Sequence, residues 1–277
     1  EFRRVLFRSR LYQACSNDKA IADFKHAQRE CFIVNTVNDY VCVIEARLGS
    51  TRLPRKVLLK NHGKTMLEIM ITRVRQIDSL KKIVIATTNE IEDDEIVKLA
   101  QELSVEYFRG STLNVYSRVL GAVQSSGYQH VVSLQGDCPL IDAKLIEDCI
   151  GAYEEMEADY VCNFIEKHFP DGMDCQVLSL SCLKSLQSRE ITSEDQEHVT
   201  LFIRNNPDLF SIYNVKGESG LFWPELKLTL DERRDYELIN NILDFFHPRL
   251  DFSLRDIIQH IGRSNPRLFP DGNSQIK

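Results

Sequence analysis

No run in the 277 residues approaches the ~20 consecutive apolar positions that a helix needs to cross a bilayer. No signal-peptide pattern precedes the first apolar segment either. The eight cysteines (Cys15, Cys31, Cys42, Cys138, Cys149, Cys162, Cys175 and Cys182) contain no CxxC pair and no zinc-finger spacing. Several lie in apolar runs, where a thiol behaves as a small hydrophobe, so reduced cysteines in a cytoplasmic protein are expected. A basic excess is missing too: the net charge is −7, against the positive balance of a general nucleic-acid binder. The glycine fingerprint GxGxxG is absent, which argues against a dinucleotide-binding domain. Gly63-Lys64-Thr65 imitates the end of a Walker phosphate loop, but the glycine required five positions earlier is Leu58.

What is present begins at residue 41, with VCVIEARLGSTRLPRKVLL over 41–59. Its first half is short, apolar and rich in β-branched residues, as in a parallel strand buried on both faces. It breaks at Gly49-Ser50 into a turn carrying Arg47, Arg52, Arg55 and Lys56. Backbone N–H groups at a Gly-Ser turn approach an anion closely, and the flanking cations add charge-assisted bonds. A basic turn is more often a solvated surface. After the first strand of an α/β pattern, however, it lies where open sheets bind ligands, and it reads as a triphosphate loop.

The leader over 1–38 is basic and unpatterned at its start and resembles translated adapter sequence, so it is set apart from the fold. From residue 39 the chain alternates strands and helices. Strands are expected at 40–46, 82–88, 105–108, 130–134 and 158–162, and helices at 65–77, 92–103, 113–126 and 142–156. The acidic first turn of the 92–103 helix suits its dipole. This rhythm implies βαβ crossovers and a mostly parallel sheet in a three-layer α/β/α fold. Residues 164–225 loosen into an acceptor-side insertion, with a strand at 174–180 and a helix at 194–205. A strand at 226–230, a helix at 232–246 and a short helix at 253–262 capped by Ser253 complete a domain over 39–265. A tail covers 266–277.

Asp137 and Asp231 each end an expected strand. Two strand-end carboxylates facing one crevice supply hard oxygen ligands for Mg²⁺, with water and phosphate completing the octahedron. Either alone is an ordinary turn residue.

The segment ARLGSTRLPRKVL (46–58) resembles the signature of cytidylyltransferases that activate acidic sugars: the Kdo and acylneuraminate enzymes and especially the spore-coat polysaccharide family. The likeness continues through Ala86-Thr87, Phe108-Arg109-Gly110-Ser111, Gly136-Asp137-Cys138-Pro139, Asp159-Tyr160-Val161, Pro170 to Asp174, Glu197-His198-Val199-Thr200 and Leu228 to Asp235. It implies a nucleotide-diphospho-sugar transferase fold, CTP and an anionic small-molecule acceptor as substrates, Mg²⁺ as cofactor, and a fold that is often a homodimer. Carried over by position, Arg47, Ser50, Arg52 and Lys56 hold the triphosphate, and Asp137 and Asp231 the metal. Ala46, Gly49, Arg109, Arg118 and Gln135 approach the nucleotide; Asp174, Glu197 and His198 belong to the acceptor side. Arg47, Arg52, Lys56 and Asp137 form the catalytic set. His198 reads equally as an acid/base or as a helical histidine satisfied by packing. Arg55 stands where relatives commonly have Gly, Gln196 replaces an Arg, and Cys175-Gln176 replaces a more acidic pair; these leave acceptor identity open. Rival readings are transfer from GTP or UTP to a sugar 1-phosphate, a non-catalytic nucleotide-binding homologue, and a metal-dependent glycosyltransferase, which would normally carry an Asp-x-Asp motif.

Overall fold

The computed structural model describes residues 39–218 and 220–264. The expected leader and tail lie outside them.

Strand β1 (Tyr40–Glu45) lies inside a seven-stranded sheet and is buried on both faces, which is why its sequence does not alternate. Cys42 and Ile44 point to one face, where Leu67, Met70 and Cys149 cover them. Val41 and Val43 point to the other, against Val115, Val119 and Val123. The sheet also contains β4 (Leu80–Thr88), β5 (Glu106–Gly110), β6 (His130–Gln135), β7 (Tyr160–Cys162), β8 (Gln176–Ser179) and β9 (Ile212–Asn214). Its order is β5-β4-β1-β6-β8-β7-β9; β8 pairs antiparallel with both neighbours and the other pairings are parallel. A separate hairpin, β2 (Lys60–Asn61) with β3 (Lys64–Thr65), turns through His62-Gly63.

Helices α1 (Met66–Val74), α2 (Asp94–Glu102) and α4 (Ala143–Met156) cover the Cys42 face, and α3 (Val115–Ser126) covers the Val43 face. The chain therefore steps outward from β1 to β5 on one side, then crosses back to β6. The reversal opens a crevice at the carboxyl ends of β1 and β6, where ligands of doubly wound sheets bind. Helices α8 (Arg233–Phe246) and α9 (Leu254–Ser264) add a third core against Met66, Ile69 and Leu145. Buried Arg73 ties α1 to that layer and to the loop after β6, donating to the carbonyls of Leu140, Ile141, Leu250 and Phe252.

Three expectations need correction. Residues 226–230 form no strand: they run extended with one bridge, Asp171 to Lys227. The helix expected over 194–205 is broken into α6 (Ser193–Glu197) and α7 (Leu201–Asn205), because Val199 between them takes φ 29°. The helix expected to 77 stops at Val74. Four elements gave no sequence signal: the hairpin strands β2 and β3, strand β9 and the short α5 (Leu180–Ser185). Ser253 does cap α9, its hydroxyl accepting from Asp256 N–H at 3.2 Å. Among the described residues no helix is long and apolar enough to cross a membrane.

Candidate active site

The loop after β1 closes on itself before it meets any partner. Leu48 carbonyl accepts from Ser50 N–H at 2.7 Å and from Arg55 N–H at 3.2 Å. Arg55, which ends the loop, holds the left-handed conformation at φ 58°, a geometry that glycine adopts without strain. The N–H groups of Gly49, Thr51 and Arg52 have no partner among the described residues. Arg47 is exposed and is likewise without a hydrogen-bond or ion-pair partner among them. A cavity of about 660 Å³ lies beside the loop, lined by Leu48, Gly49, Ser50, Pro54 and Ile91. That volume lies in the range of small-molecule sites.

Asp137 follows β6 by way of Gly136, whose N–H donates to Glu45 carbonyl at 2.8 Å. A Cβ at Gly136 would stand 2.6 Å from that carbonyl oxygen, so the approach requires glycine. Asp231 arrives by a different route. Gly172, at φ 98°, lets the 170–174 turn lie directly on the backbone of Leu228 and Thr229. Leu230 N–H then donates to Asp137 carbonyl at 2.8 Å, bringing the two aspartates together across 94 positions.

Both carboxylates converge on one ammonium: Lys56 Nζ is 2.7 Å from Asp137 and 3.0 Å from Asp231. Arg52 also reaches Asp231 at 3.0 Å, and Lys227 does so at 3.3 Å. Burial opposes ionisation of Asp231, but hydrogen bonding and charge from Lys56 and Lys227 outweigh it and hold the carboxyl below its usual value. Two carboxylates that already share one cation fit a hard divalent ion. With no group of three or more acidic, His or Cys ligands among the described residues, most of its shell would come from water and phosphate, as Mg²⁺ prefers.

Of the residues expected at the nucleotide, Ala46 is buried and Gln135 exposed at the ends of β1 and β6. Arg109 is held within the fold: it donates to the carbonyls of Thr88 and Glu90 at 2.8 Å each and pairs with Asp94 at 2.5 Å. Arg118 is buried, with a bond to Ser111 carbonyl at 2.5 Å and a buried Nε–H that has no partner among the described residues. Burial lowers its pKa, against the attraction of Glu45. Glu45 itself escaped the sequence reading. Desolvation raises its pKa to about 7, although Arg118 and a 3.4 Å hydrogen bond from Ser133 pull the other way.

Of the residues expected at the acceptor, Asp174 has its pKa raised to about 6 by burial and then by the charge of Asp171. Glu197 and His198 are exposed, and His198 ends α6, so the packed helical histidine is not what the fold contains. Gln196 accepts from Asn114 at 3.1 Å, linking α6 to the start of α3. Gln176 is buried and accepts from Tyr160 at 2.9 Å and Thr200 at 2.6 Å. Lys227 and Asp235, 2.7 Å apart, also went unread. Asp235 accepts from the N–H of Asp231 at 3.0 Å and thereby fixes the backbone of that residue.

With this geometry in place, comparison with known proteins gives a consistent picture. The family profile described as cytidylyltransferase matches residues 41–244. A Bacillus subtilis protein named spore coat polysaccharide biosynthesis protein SpsF is 32% identical over 234 residues, 82% of this chain and 96% of that one. An 8-amino-3,8-dideoxy-manno-octulosonate cytidylyltransferase of Shewanella is 33% identical over a shorter stretch, 43% of this chain and 49% of its own length. Among solved structures, a cytidylyltransferase from Leptospira borgpetersenii superposes with a TM-score of 0.77 at 30% identity, covering 86% of this chain and 99% of that one. A CMP:2-keto-3-deoxy-manno-octonic acid synthetase solved with CTP shares the fold at a TM-score of 0.56 and 18% identity, covering 75% and 99%.

Proposed function

Because the chain belongs to the cytidylyltransferase family, and is thus a nucleotidyltransferase, we propose that it transfers CMP from CTP to an acidic sugar, releasing pyrophosphate. The observation that carries this reading is the convergence of Asp137 and Asp231 on Lys56 beside a loop with free N–H groups. Asp137 and Asp231 would hold Mg²⁺, which when bound neutralises phosphate charge and steadies the reacting oxygens. The N–H groups of the loop, with Arg47, Arg52 and Lys56, hold the triphosphate. Ala46, Arg109, Arg118 and Gln135 frame the nucleoside, and Asp174, Glu197 and His198 frame the acceptor.

The acceptor hydroxyl oxygen forms a bond to the α-phosphorus and gives up its proton to solvent as the bond from that phosphorus to the bridging oxygen breaks. The electron pair and negative charge leave with pyrophosphate. Arg52 and Lys56 stand where that charge grows, so catalysis is a matter of position and electrostatics and needs no covalent nucleophile. The octulosonate named for one set of relatives fits an anionic acceptor, in surface-glycan precursor synthesis in the cytoplasm.

The test is pyrophosphate release with Mg²⁺, the four ribonucleoside triphosphates and a panel of acidic sugars and sugar phosphates. CTP-selective turnover is expected, falling at least ~100-fold in Asp137→Ala. Selective turnover with GTP or UTP would overturn the CTP assignment. Undiminished turnover in the variant would overturn the site.

A further inference from the structure

The buried carboxylate of Asp93 takes no part in the scheme above, yet it touches the phosphate-side loop. Asp93 precedes α2 and is 2% exposed. Its Oδ1 accepts from Leu48 N–H at 2.7 Å, and its Oδ2 accepts from Thr88 N–H at 3.2 Å and from the Thr88 hydroxyl. One side chain thus joins the first turn of the loop to the carboxyl end of β4. Leu48 carbonyl, on the same residue, is the group on which Ser50 and Arg55 close the loop. At the far end of the loop Arg55 pairs with Glu95, also from α2. The start of α2 therefore holds both ends of the segment whose central N–H groups are free.

We propose that Asp93 is a positioning residue that preorganises the 48–55 loop for a polyphosphate, acting through Leu48 without touching the ligand. The two contacts are unequal. The Arg55–Glu95 pair is more than half exposed on both sides and so contributes little. The Asp93 bonds are dry and serve two backbone donors, the N–H groups of Leu48 and Thr88. Residues that orient a binding group from behind commonly alter affinity 10- to 100-fold when changed. This inference rests on the nucleotidyl-transfer reading for its ligand but not for its geometry.

The experiment uses Asp93→Asn, with Asp93→Ala as the more severe variant. Asn keeps the size of the side chain but turns an NH₂ toward one of the two backbone N–H groups. Hydrogen exchange is read on peptides spanning 46–53, with peptides from β6 and α4 as internal controls, and calorimetry measures magnesium tripolyphosphate binding. In Asp93→Asn the hydrogen-bonded amides of Leu48 and Ser50 are expected to exchange about 10-fold faster, with β6 and α4 unchanged. Tripolyphosphate Kd should rise about 10-fold, and KM for the nucleotide should rise with kcat near wild type. Unchanged loop exchange overturns the proposal, as does a parallel rise in the controls, which would make Asp93 a general stability residue. Failure of the wild-type chain to bind tripolyphosphate would instead overturn the transfer reading, leaving the clasp to be decided by exchange alone.

Discussion

At the scale of single residues, Glu45 shows what a sequence conceals. In the 41–59 segment it is one acidic position at the end of an apolar strand, and nothing in its neighbours reveals that it ends up desolvated beside Arg118. Asp93 was hidden differently, among Glu92, Asp94 and Glu95, where acidic residues look like decoration of a helix start. Asp137 was legible because it follows a strand beside the basic loop that carries Lys56, whereas Asp231 was read at the end of a strand that the fold does not contain and reaches the site by way of the Gly172 turn. For Glu45 the sign is definite: its folded pKa of about 7 lies above the ordinary carboxyl value, so ionisation is penalised in the folded state. The penalty is absent below the unfolded pKa and complete above the folded one. Glu45→Gln is therefore expected to stabilise the protein at pH 8 by up to about 3 kcal/mol, several degrees in Tm. The advantage should vanish near pH 4, and calorimetry of both proteins at the two pH values checks it. An equal Tm at pH 8 would mean that the Arg118 charge already compensates the carboxylate.

Among elements, the parallel half of the sheet was readable because strands buried on both faces write themselves as apolar runs between turns. The 226–230 segment carries the same kind of run, with Leu226, Leu228 and Leu230 buried, but these face the α8–α9 layer, and no strand lies alongside to make a ladder. Its apolar alternation was real; its partner was misjudged. What positions it is Gly172, to which the sequence attached no role beyond its place in the Pro170–Asp174 likeness. A Cβ there would stand 2.6 Å from both Leu228 C and Thr229 N, at a φ that L residues rarely adopt. Gly172→Ala is accordingly expected to cost about 2–4 kcal/mol in urea unfolding. Its second effect separates geometry from stability: Asp231 shifts away from Asp137, and affinity for Mn²⁺, measured by paramagnetic relaxation at a temperature where the variant is folded, should fall about 10-fold. A destabilised variant with wild-type Mn²⁺ affinity would show that Asp231 does not depend on this turn.

Across the whole molecule, the titrating groups pull the stability profile in two directions. Asp231 and Asp235 resist burial through their contacts with Lys56 and Lys227 and have folded pKa values below 3.8. Their contribution is present above the unfolded pKa and disappears as pH falls through the folded one. Glu45 and Asp174 act oppositely: with folded values of about 7 and about 6, they increasingly destabilise the fold as pH rises from near 4 to 7. His130 opposes them, since burial lowers its pKa and its stabilising effect declines as pH falls below 6.5. One half-buried histidine does not match two carboxyls raised to about 7 and about 6. Net charge works in the same direction as the carboxyls, because the chain carries −7 at pH 7 and self-repulsion fades toward its pI near 5.6. Tm is therefore expected to pass through a maximum between about pH 4.5 and 6, falling steeply below pH 4 and gently toward pH 8. A calorimetric series at constant ionic strength checks this. A Tm that climbs steadily from pH 4 to 8 would refute the desolvation of Glu45 and Asp174, whereas a maximum that flattens on the alkaline side in Glu45→Gln would assign the slope to that residue.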